Sequence, residues 1–192
     1  MDELKKRIMR DAEIAEGDII RVDMFLNHCM DVDLLEKVGK DLAKRFRGDK
    51  VDKVLTVESS GIPLACFIAL ALDVPAIYAK RFHTGYIDPD VYTAEIHSFS
   101  MEKSYTIRVS RRYLEEDDRV LLVDDILSSG QAILGLVEIV SKAGAEVAGV
   151  AAAIEKATRD GGEILRKMGL RVKAAATVLR VEDGHILLAE DD

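Results

Sequence analysis

Two adjacent carboxylates, Asp124 and Asp125, are the side chains of this sequence that best combine reactivity with a defined setting. They follow the apolar run 120–123 and precede the short turn 128–132, which is rich in hydroxyl and small residues and opens a helical pattern. A helix N-terminus directs free backbone N–H groups and a positive dipole end toward a ligand. The 128–132 turn therefore favours an anion such as a phosphate.

The two acids next to this turn restrict what the anion can be. A carboxylate repels a phosphate unless a sugar or a cation lies between them. A ribose 5′-phosphate meets both demands when its hydroxyls face Asp124 and Asp125 and its phosphate lies in the turn. Serine hydroxyls at 128 and 129 add donors, and Gly130 permits close approach of the backbone. The alternative is a capped helix start whose acids face solvent.

A second turn, 58–63, lies between the β-rich run 54–57 and another helical pattern. Pro63 suits the start of that helix because its missing N–H leaves no hydrogen bond unmade. The turn can present backbone N–H groups to a second anion, although an ordinary structural turn has the same composition. Its candidate residues are Glu58, Ser59, Ser60 and Gly61.

Alternating strand and helix patterns must position both turns. Strand patterns occur at 54–57, 76–79, 120–123, 147–154 and 172–179, and helical patterns at 31–46, 62–72, 129–142 and 163–168. This order predicts an α/β fold with a central, mainly parallel sheet flanked by helices. Such sheets bind ligands at the carboxyl ends of their strands, where both turns lie.

The alternation is interrupted between Lys80 and Glu115. Two short alternating patterns, near 93–99 and 105–109, fall inside this stretch. Long insertions in compact domains are more often functional than idle. We expect a flexible hairpin over about 82–110 that projects beside the strand ends.

These motifs resemble those of the type I purine phosphoribosyltransferases. Residues 120–132 are similar to that family's phosphoribosyl pyrophosphate motif, and residues 56–62 to its pyrophosphate loop. Residues 22–28 resemble its N-terminal base-recognition segment, and residues 154–156 its base-contacting strand end. The similarity extends over nearly the whole chain and narrows to bacterial, adenine-like members that act on xanthine.

The resemblance implies an architecture and a reaction. A single phosphoribosyltransferase domain would cover residues 1–192, with a small hood from about 1–30 and 156–192. The reaction would transfer the phosphoribosyl group of phosphoribosyl pyrophosphate to N9 of xanthine, with Mg²⁺ bound chiefly to the diphosphate. We expect no metal site built by the protein itself. The insertion would close over the site as a lid, and a homodimer is implied.

The resemblance also implies roles for individual residues. Asp124 and Asp125 would be the catalytic pair, holding the ribose hydroxyls where positive charge develops. Ile20, Asn27 and Lys156 would contact the purine, with Ile20 replacing an expected Leu over the ring. The residues implied to bind phosphoribosyl pyrophosphate are Glu58, Ser59, Ser60, Gly61, Lys80, Arg81, Ser128, Ser129, Gly130, Gln131 and Ala132.

Two of the implied purine contacts indicate which base would fit. A lysine ammonium only donates hydrogen bonds, so Lys156 favours a 6-oxopurine over adenine. The Asn27 amide both donates and accepts, and it could read another edge of the ring. Without the resemblance, the pattern favours a turn or cap residue at Asn27 and a solvated lysine beside Glu155 at Lys156.

Composition excludes several partners and locations. The chain of 192 residues has 35 acidic against 27 basic residues, a formal net charge of −8, and no Trp, which argues against a nucleic-acid partner. Its N-terminus lacks a signal-peptide core, and the apolar stretch 62–72 is too short to span a bilayer, so we expect no membrane association. Cys29 and Cys66 have no metal-ligand spacing, and we expect both to be buried in a cytoplasmic protein.

Alternatives remain open from sequence. A hypoxanthine/guanine or an adenine phosphoribosyltransferase would share these motifs. A purine regulator that senses phosphoribosyl pyrophosphate without catalysis would share the fold and carry an additional N-terminal DNA-binding domain. Only about 50 residues precede the first predicted sheet strand, and we expect them to contain Asn27 and a single long helix, which leaves little room for such a domain.

Overall fold

A computed structural model describes residues 1–15, 19–81, 89–98 and 103–190 of the chain. Its helices are α1 (Asp2–Asp11), α2 (Val32–Phe46), α3 (Ile62–Leu72), α4 (Gln131–Ala143) and α5 (Gly161–Lys167). Its strands are β1 (Glu13–Ala15), β2 (Ile19–Arg21), β3 (Lys53–Val57), β4 (Ala76–Arg81), β5 (Val91–Ser98), β6 (Lys103–Ser110), β7 (Arg119–Leu127), β8 (Glu146–Lys156), β9 (Val172–Glu182) and β10 (His185–Leu188). A 3₁₀ turn covers Arg111–Tyr113.

Eight strands form one sheet in the order β10-β9-β8-β7-β3-β4-β6-β5. The central run from β9 to β4 is parallel throughout, and β10, β6 and β5 pair antiparallel at the two edges. The parallel strands are the five predicted from the sequence. The mainly parallel α/β fold is thereby confirmed, and both predicted turns lie at the carboxyl edge of the sheet.

Each face of the sheet carries its own apolar core. On one face, Leu121 and Val123 pack with the helices α1, α2 and α3. On the other, Val120 and Leu122 pack with α4 and with residues of β5 and β6. The alternation follows from the two-residue repeat of a strand, and it holds over residues 120–123 of β7.

The predicted hairpin is present as β5 and β6, but its stem does not project freely from the sheet. Ile96 and Ile107 are almost completely buried. A Cβ atom at Gly135 of α4 would lie 2.7 Å from Ile96 Cγ1, so the hairpin folds closely over α4. Apolar residues facing α4 every second position explain this packing. Residues 82–88 and 99–102 of the insertion lie outside the described residues.

The N-terminal segment differs from its prediction. It contains two helices and a two-stranded sheet, β1–β2, rather than a single long helix. Asp31 caps α2 as predicted by accepting a hydrogen bond from the backbone N–H of Leu34 at 3.1 Å. Helices α1 and α2 join the core of the main sheet. These residues therefore build part of the same body.

The two segments predicted to form a hood meet each other. The α-amino group of Met1 donates to the carbonyl of Ala175 at 2.7 Å, and Lys5 Nζ donates to the carbonyl of Ala189 at 2.6 Å. These bonds join the start of the chain to the region of β9 and β10. That the pair of segments acts as a hood stays a prediction.

The expectation that both cysteines are buried is wrong. Cys29 and Cys66 are exposed free thiols. Cys66 lies on α3, and Leu70, one turn further on the same side, is 72% exposed. Although α3 is apolar along its length, it buries only one face. Within the described part of the chain, no helix is long and apolar enough to cross a membrane.

Candidate functional site

The 128–132 turn connects β7 to α4 with backbone geometry suited to an anion. Gly130 precedes α4 with a φ of 75°, a conformation that favours glycine. The first N–H groups of α4, beginning at Gln131, have no acceptors within the helix and point out of its end. Ser128, Ser129, Gln131 and Ala132 are all partly accessible. The predicted strand-to-helix turn is therefore formed, and its binding of a phosphate stays a prediction.

The two carboxyl groups at the end of β7 lie within hydrogen-bonding distance of each other. Their further contacts differ. Asp124 lines a cavity together with the 128–132 turn, whereas Asp125 is bonded to Asn27 and Ser60.

Asp124 lines a cavity of about 620 Å³ into which the 128–132 turn also opens. One of its carboxylate oxygens, Oδ1, accepts a hydrogen bond from the backbone N–H of Asp125 at 3.1 Å. Burial of the carboxyl, followed by the charge of Asp125, raises the pKa of Asp124 well above its ordinary range. Asp124 therefore keeps its proton to a higher pH than an ordinary aspartate.

Asp125 is 6% exposed and is held by two side chains. Asn27 Nδ2 donates to its Oδ2 at 2.8 Å, and Ser60 Oγ donates to its Oδ1 at 2.9 Å. The first donor comes from the predicted base-recognition segment and the second from the 58–63 turn. Hydrogen bonds to one buried carboxylate therefore connect β7, the 22–28 segment and the 58–63 turn.

The 58–63 turn is shaped by close backbone approach. A Cβ atom at Gly61 would overlap Thr56 Oγ1, so only glycine fits beside β3. The peptide bond between Glu58 and Ser59 is cis. Glu58 lies next to the end of β4, where its Oε1 accepts the backbone N–H of Arg81 at 2.5 Å. The turn and the Lys80–Arg81 pair are thus adjacent, as predicted.

The two cations at the end of β4 differ in their surroundings. Lys80 is exposed, with its ammonium 5.7 Å from the ring centre of Tyr78. The guanidinium of Arg81 lies 4.6 Å from the ring centre of Tyr105 on β6. This contact fixes Arg81 against the hairpin and leaves Lys80 the more accessible of the pair.

Lys156 and Ile20 are the two remaining residues with an implied purine contact. Lys156 is partly buried at the carboxyl end of β8, where burial, followed by the charge of Arg159, lowers its pKa. Ile20 is 6% exposed within the core of the N-terminal segment. Neither is among the described residues that line the 620 Å³ cavity. Their contact with a purine stays a prediction.

The cavity also contains residues that the sequence analysis missed. The hairpin contributes Ile96, His97 and Tyr105, which carry no motif. The connection between β8 and α5 contributes Arg159 and Asp160. Two glycines follow these residues, and a pair of glycines after a strand pattern is a sequence signal that could have indicated a third strand-to-helix turn. Among the described residues, the lining consists of Ile96, His97, Tyr105, Asp124, Ile126, Ser128, Ser129, Gly130, Gln131, Ala132, Arg159, Asp160 and Ile164.

The described residues offer no cluster of three or more His, Cys, Asp or Glu side chains that could hold a metal ion. Both oxygens of Asp125 already accept hydrogen bonds. The carboxyl group of Asp124 lines the cavity next to that of Asp125. This donor set suits a metal that arrives with an anionic ligand better than one held by the protein.

Comparison with known proteins agrees with this geometry. The phosphoribosyl transferase domain family matches residues 31–173. The xanthine phosphoribosyltransferase of Ruminiclostridium cellulolyticum is 43% identical over 190 residues, covering 99% of this chain and 100% of that protein. Xanthine phosphoribosyltransferase 1 of Clostridium perfringens is 42% identical over 187 residues, covering 97% and 98%.

Solved structures agree on the fold. The adenine phosphoribosyltransferase of Thermoanaerobacter pseudethanolicus superposes with a TM-score of 0.75 over 92% of this chain and 98% of that one, at 19% identity. The enzyme of Trypanosoma brucei gives 0.73 over 88% and 77%, at 18% identity. Together with the carboxylate pair, the two turns and the near full-length relatives, this similarity places the chain in the phosphoribosyltransferase family, within its xanthine phosphoribosyltransferase group.

Proposed function

We propose that this protein is a purine salvage enzyme that converts xanthine and phosphoribosyl pyrophosphate to xanthosine 5′-monophosphate and pyrophosphate. The observation that carries the proposal is the shared cavity of Asp124 and the 128–132 turn, in a chain 43% identical to a named xanthine phosphoribosyltransferase. A phosphate in the turn brings the ribose of the same ligand toward Asp124.

The reaction breaks the bond between C1′ and the pyrophosphate oxygen and forms a bond between C1′ and N9. Pyrophosphate leaves with the electron pair of the broken bond, N9 supplies the new pair, and the N9 proton passes to water. Positive charge develops on the ribose as the first bond weakens. Carboxylates near that ribose stabilise the charge, and ordered anion sites keep the two reacting atoms in line.

The residues of the chain divide this work. The N–H groups at the start of α4 and the hydroxyls of Ser128 and Ser129 would bind the 5′-phosphate. The 58–63 turn, with Lys80 nearby, would bind the pyrophosphate. Asp125 would accept a ribose hydroxyl only through lone pairs that Asn27 and Ser60 leave free, whereas Asp124 has an open approach from the cavity.

Mg²⁺ belongs to this proposal as a component of the substrate. The arrangement of donors described above provides no protein cage for the ion, and the diphosphate oxygens supply the hard ligands it prefers. A homodimer, a lid movement of residues 82–110 and a cytoplasmic location remain predictions. The absence of a nucleic-acid partner rests on the net charge of −8.

A purine panel tests the activity. Protein, Mg²⁺ and phosphoribosyl pyrophosphate are mixed with xanthine, guanine, hypoxanthine or adenine, and the nucleotide formed is quantified. We expect the highest kcat/KM with xanthine. Turnover of adenine alone would overturn the base assignment, and a preference for hypoxanthine or guanine would replace xanthine with another 6-oxopurine.

The same reagents separate the enzyme from a regulator. A regulator would bind phosphoribosyl pyrophosphate in a calorimeter, give no nucleotide with any base, and shift a nucleic acid in a gel. Helices α1 and α2 of the N-terminal segment are packed into the main core. We expect turnover and no shift.

A further inference from the structure

An ion pair between the buried Glu155 and the half-exposed Arg166 fastens α5 to the end of β8. Glu155, the residue before Lys156, is 5% exposed. Its Oε1 and Oε2 accept hydrogen bonds from Arg166 Nη1 and Nη2 at 2.6 and 2.7 Å. Helix α5 has only seven residues, too few to be stable alone. Its position therefore depends on such contacts.

The first residues of α5 fill the space between this ion pair and the 128–132 turn. The backbone N–H of Gly161 donates to the carbonyl of Ser128 at 3.1 Å. A Cβ atom at Gly161 would overlap the Ser128 carbonyl and the Gly130 nitrogen, and one at Gly162 would overlap Glu155 Oε1. The backbone of Gly162 therefore contacts the ion pair, and the backbone of Gly161 contacts the 128–132 turn.

We propose that Glu155 and Arg166 are positioning residues that hold the 128–132 turn in the shape that binds the 5′-phosphate. The inference rests on the proposed function, which assigns that phosphate to the turn. A site made of backbone N–H groups depends on their exact directions, so a small shift of the turn weakens binding. Without Arg166, Glu155 would lose both of these hydrogen bonds and α5 would lose this attachment to β8, which frees the Gly161 backbone to shift against the turn.

Calorimetry on the full chain distinguishes this role from general stabilisation. The probes are the Mg²⁺ complexes of phosphoribosyl pyrophosphate and of pyrophosphate, because only the first carries a 5′-phosphate. For Arg166→Ala we expect the Kd of phosphoribosyl pyrophosphate to rise about tenfold and the Kd of pyrophosphate to stay within about twofold. Arg166→Lys keeps the charge without the two-bond geometry, and its Kd should fall between those of Arg166→Ala and the unaltered chain.

Lys53→Ala is the matched control. Lys53 pairs at 2.6 Å with Asp118, whose side chain is 9% exposed, against 7% for Glu155. This pair lies at the opposite, amino end of the parallel strands. Lys53→Ala should lower the melting temperature and leave both Kd values unchanged.

The possible outcomes distinguish a positioning role of Glu155 and Arg166 from general stabilisation of the fold. Unchanged phosphoribosyl pyrophosphate binding in folded Arg166→Ala would overturn the positioning role, as would an equal loss for both probes. If Arg166→Ala does not fold, Arg166→Lys and Glu155→Gln give the same test, with a selective loss supporting the role and equal Kd values overturning it. Failure of the unaltered chain to bind phosphoribosyl pyrophosphate would overturn the proposed function and this inference with it.

Discussion

Asn27 donates its amide N–H to the Asp125 carboxylate at 2.8 Å, across 98 residues of sequence. A residue predicted to read the purine is thereby bonded to a residue predicted to hold the ribose. With one N–H used by Asp125, the Asn27 amide offers its carbonyl oxygen and its second N–H to a base. The bond therefore couples the orientation of the base-reading group to that of the sugar-binding carboxylate.

This coupling predicts that Asn27→Ala affects more than base binding. Loss of a donor to a buried carboxylate costs about 1–3 kcal/mol, so we expect kcat/KM for phosphoribosyl pyrophosphate to fall about tenfold and the xanthine KM to rise as well. Ser60→Ala, which removes the other donor to Asp125, should lower kcat/KM for phosphoribosyl pyrophosphate and leave the xanthine KM within about twofold. Steady-state kinetics with each substrate varied would measure both. An Asn27→Ala enzyme changed only in xanthine KM would contradict the coupling.

Asp124→Asn should stabilise the protein while impairing the reaction. The folded state keeps the Asp124 proton to a higher pH than the unfolded chain does. The free energy of unfolding therefore falls as the pH rises from about 4 through the raised pKa. Asparagine carries no such proton, so the variant should melt about 2–4 °C higher at pH 8, equivalent to roughly 1 kcal/mol.

Two measurements check this prediction. The gap in melting temperature between Asp124→Asn and the unaltered protein should widen with pH and then level off, while kcat drops at least about tenfold from the loss of a group near the developing charge. The matched comparison is Asp160→Asn, at another carboxylate of the cavity wall. A constant gap at all pH values would argue against proton binding by Asp124.

Lys156 should lose its charge at a lower pH than an ordinary lysine, because burial lowers its pKa. If the ammonium donates to an oxo group of the base, the xanthine KM rises at alkaline pH as the donor is neutralised. Lys156→Arg stays charged throughout and should lack this rise, while the titration of xanthine itself is common to both proteins. Lys156→Ala should raise the xanthine KM about tenfold or more. If the xanthine KM of the unaltered protein and of Lys156→Arg changed identically at alkaline pH, donation by Lys156 to the base would be excluded.

Gly61→Ala should disrupt the 58–63 turn by steric overlap. The added methyl group meets Thr56 Oγ1, and Thr56 is 1% exposed, so the turn must shift. We expect a loss of about 1–3 kcal/mol in the free energy of unfolding and weaker binding of pyrophosphate.

A second substitution isolates the cause. Thr56→Ala removes the overlapping oxygen, and the next atoms near the new Cβ are 3.4 Å away or more. Gly61→Ala should therefore be much less harmful in a Thr56→Ala background. Denaturation of the four proteins in this double-mutant cycle measures the coupling. If the losses in free energy of unfolding from Gly61→Ala and Thr56→Ala were additive, the overlap with Thr56 Oγ1 would not be the reason that position 61 requires glycine.

The parallel strands and the helices between them were predictable because their signals are local. Apolar runs, the Asp31 cap, Pro63 and the two glycine-containing turns each depend on residues a few positions apart. The strands β1 and β2, of three residues each, are too short to carry such a pattern. The short strand β10 pairs antiparallel with β9 at the sheet edge and was missed as well.

Only the tertiary structure determined the contacts between residues that are distant in sequence. The sequence by itself placed Asp124 and Asp125 beside an anion-binding turn, since neighbouring residues and strand-to-helix punctuation suffice for that. It did not assign them their separate partners, because sheet order and helix packing determine which segments surround each carboxyl group. The bonds from Asn27 and Ser60 to Asp125, the hairpin residues in the cavity wall and the contact of Gly161 with Ser128 all join segments distant in sequence. Such contacts exist only after the sheet has assembled, so no local pattern encodes them.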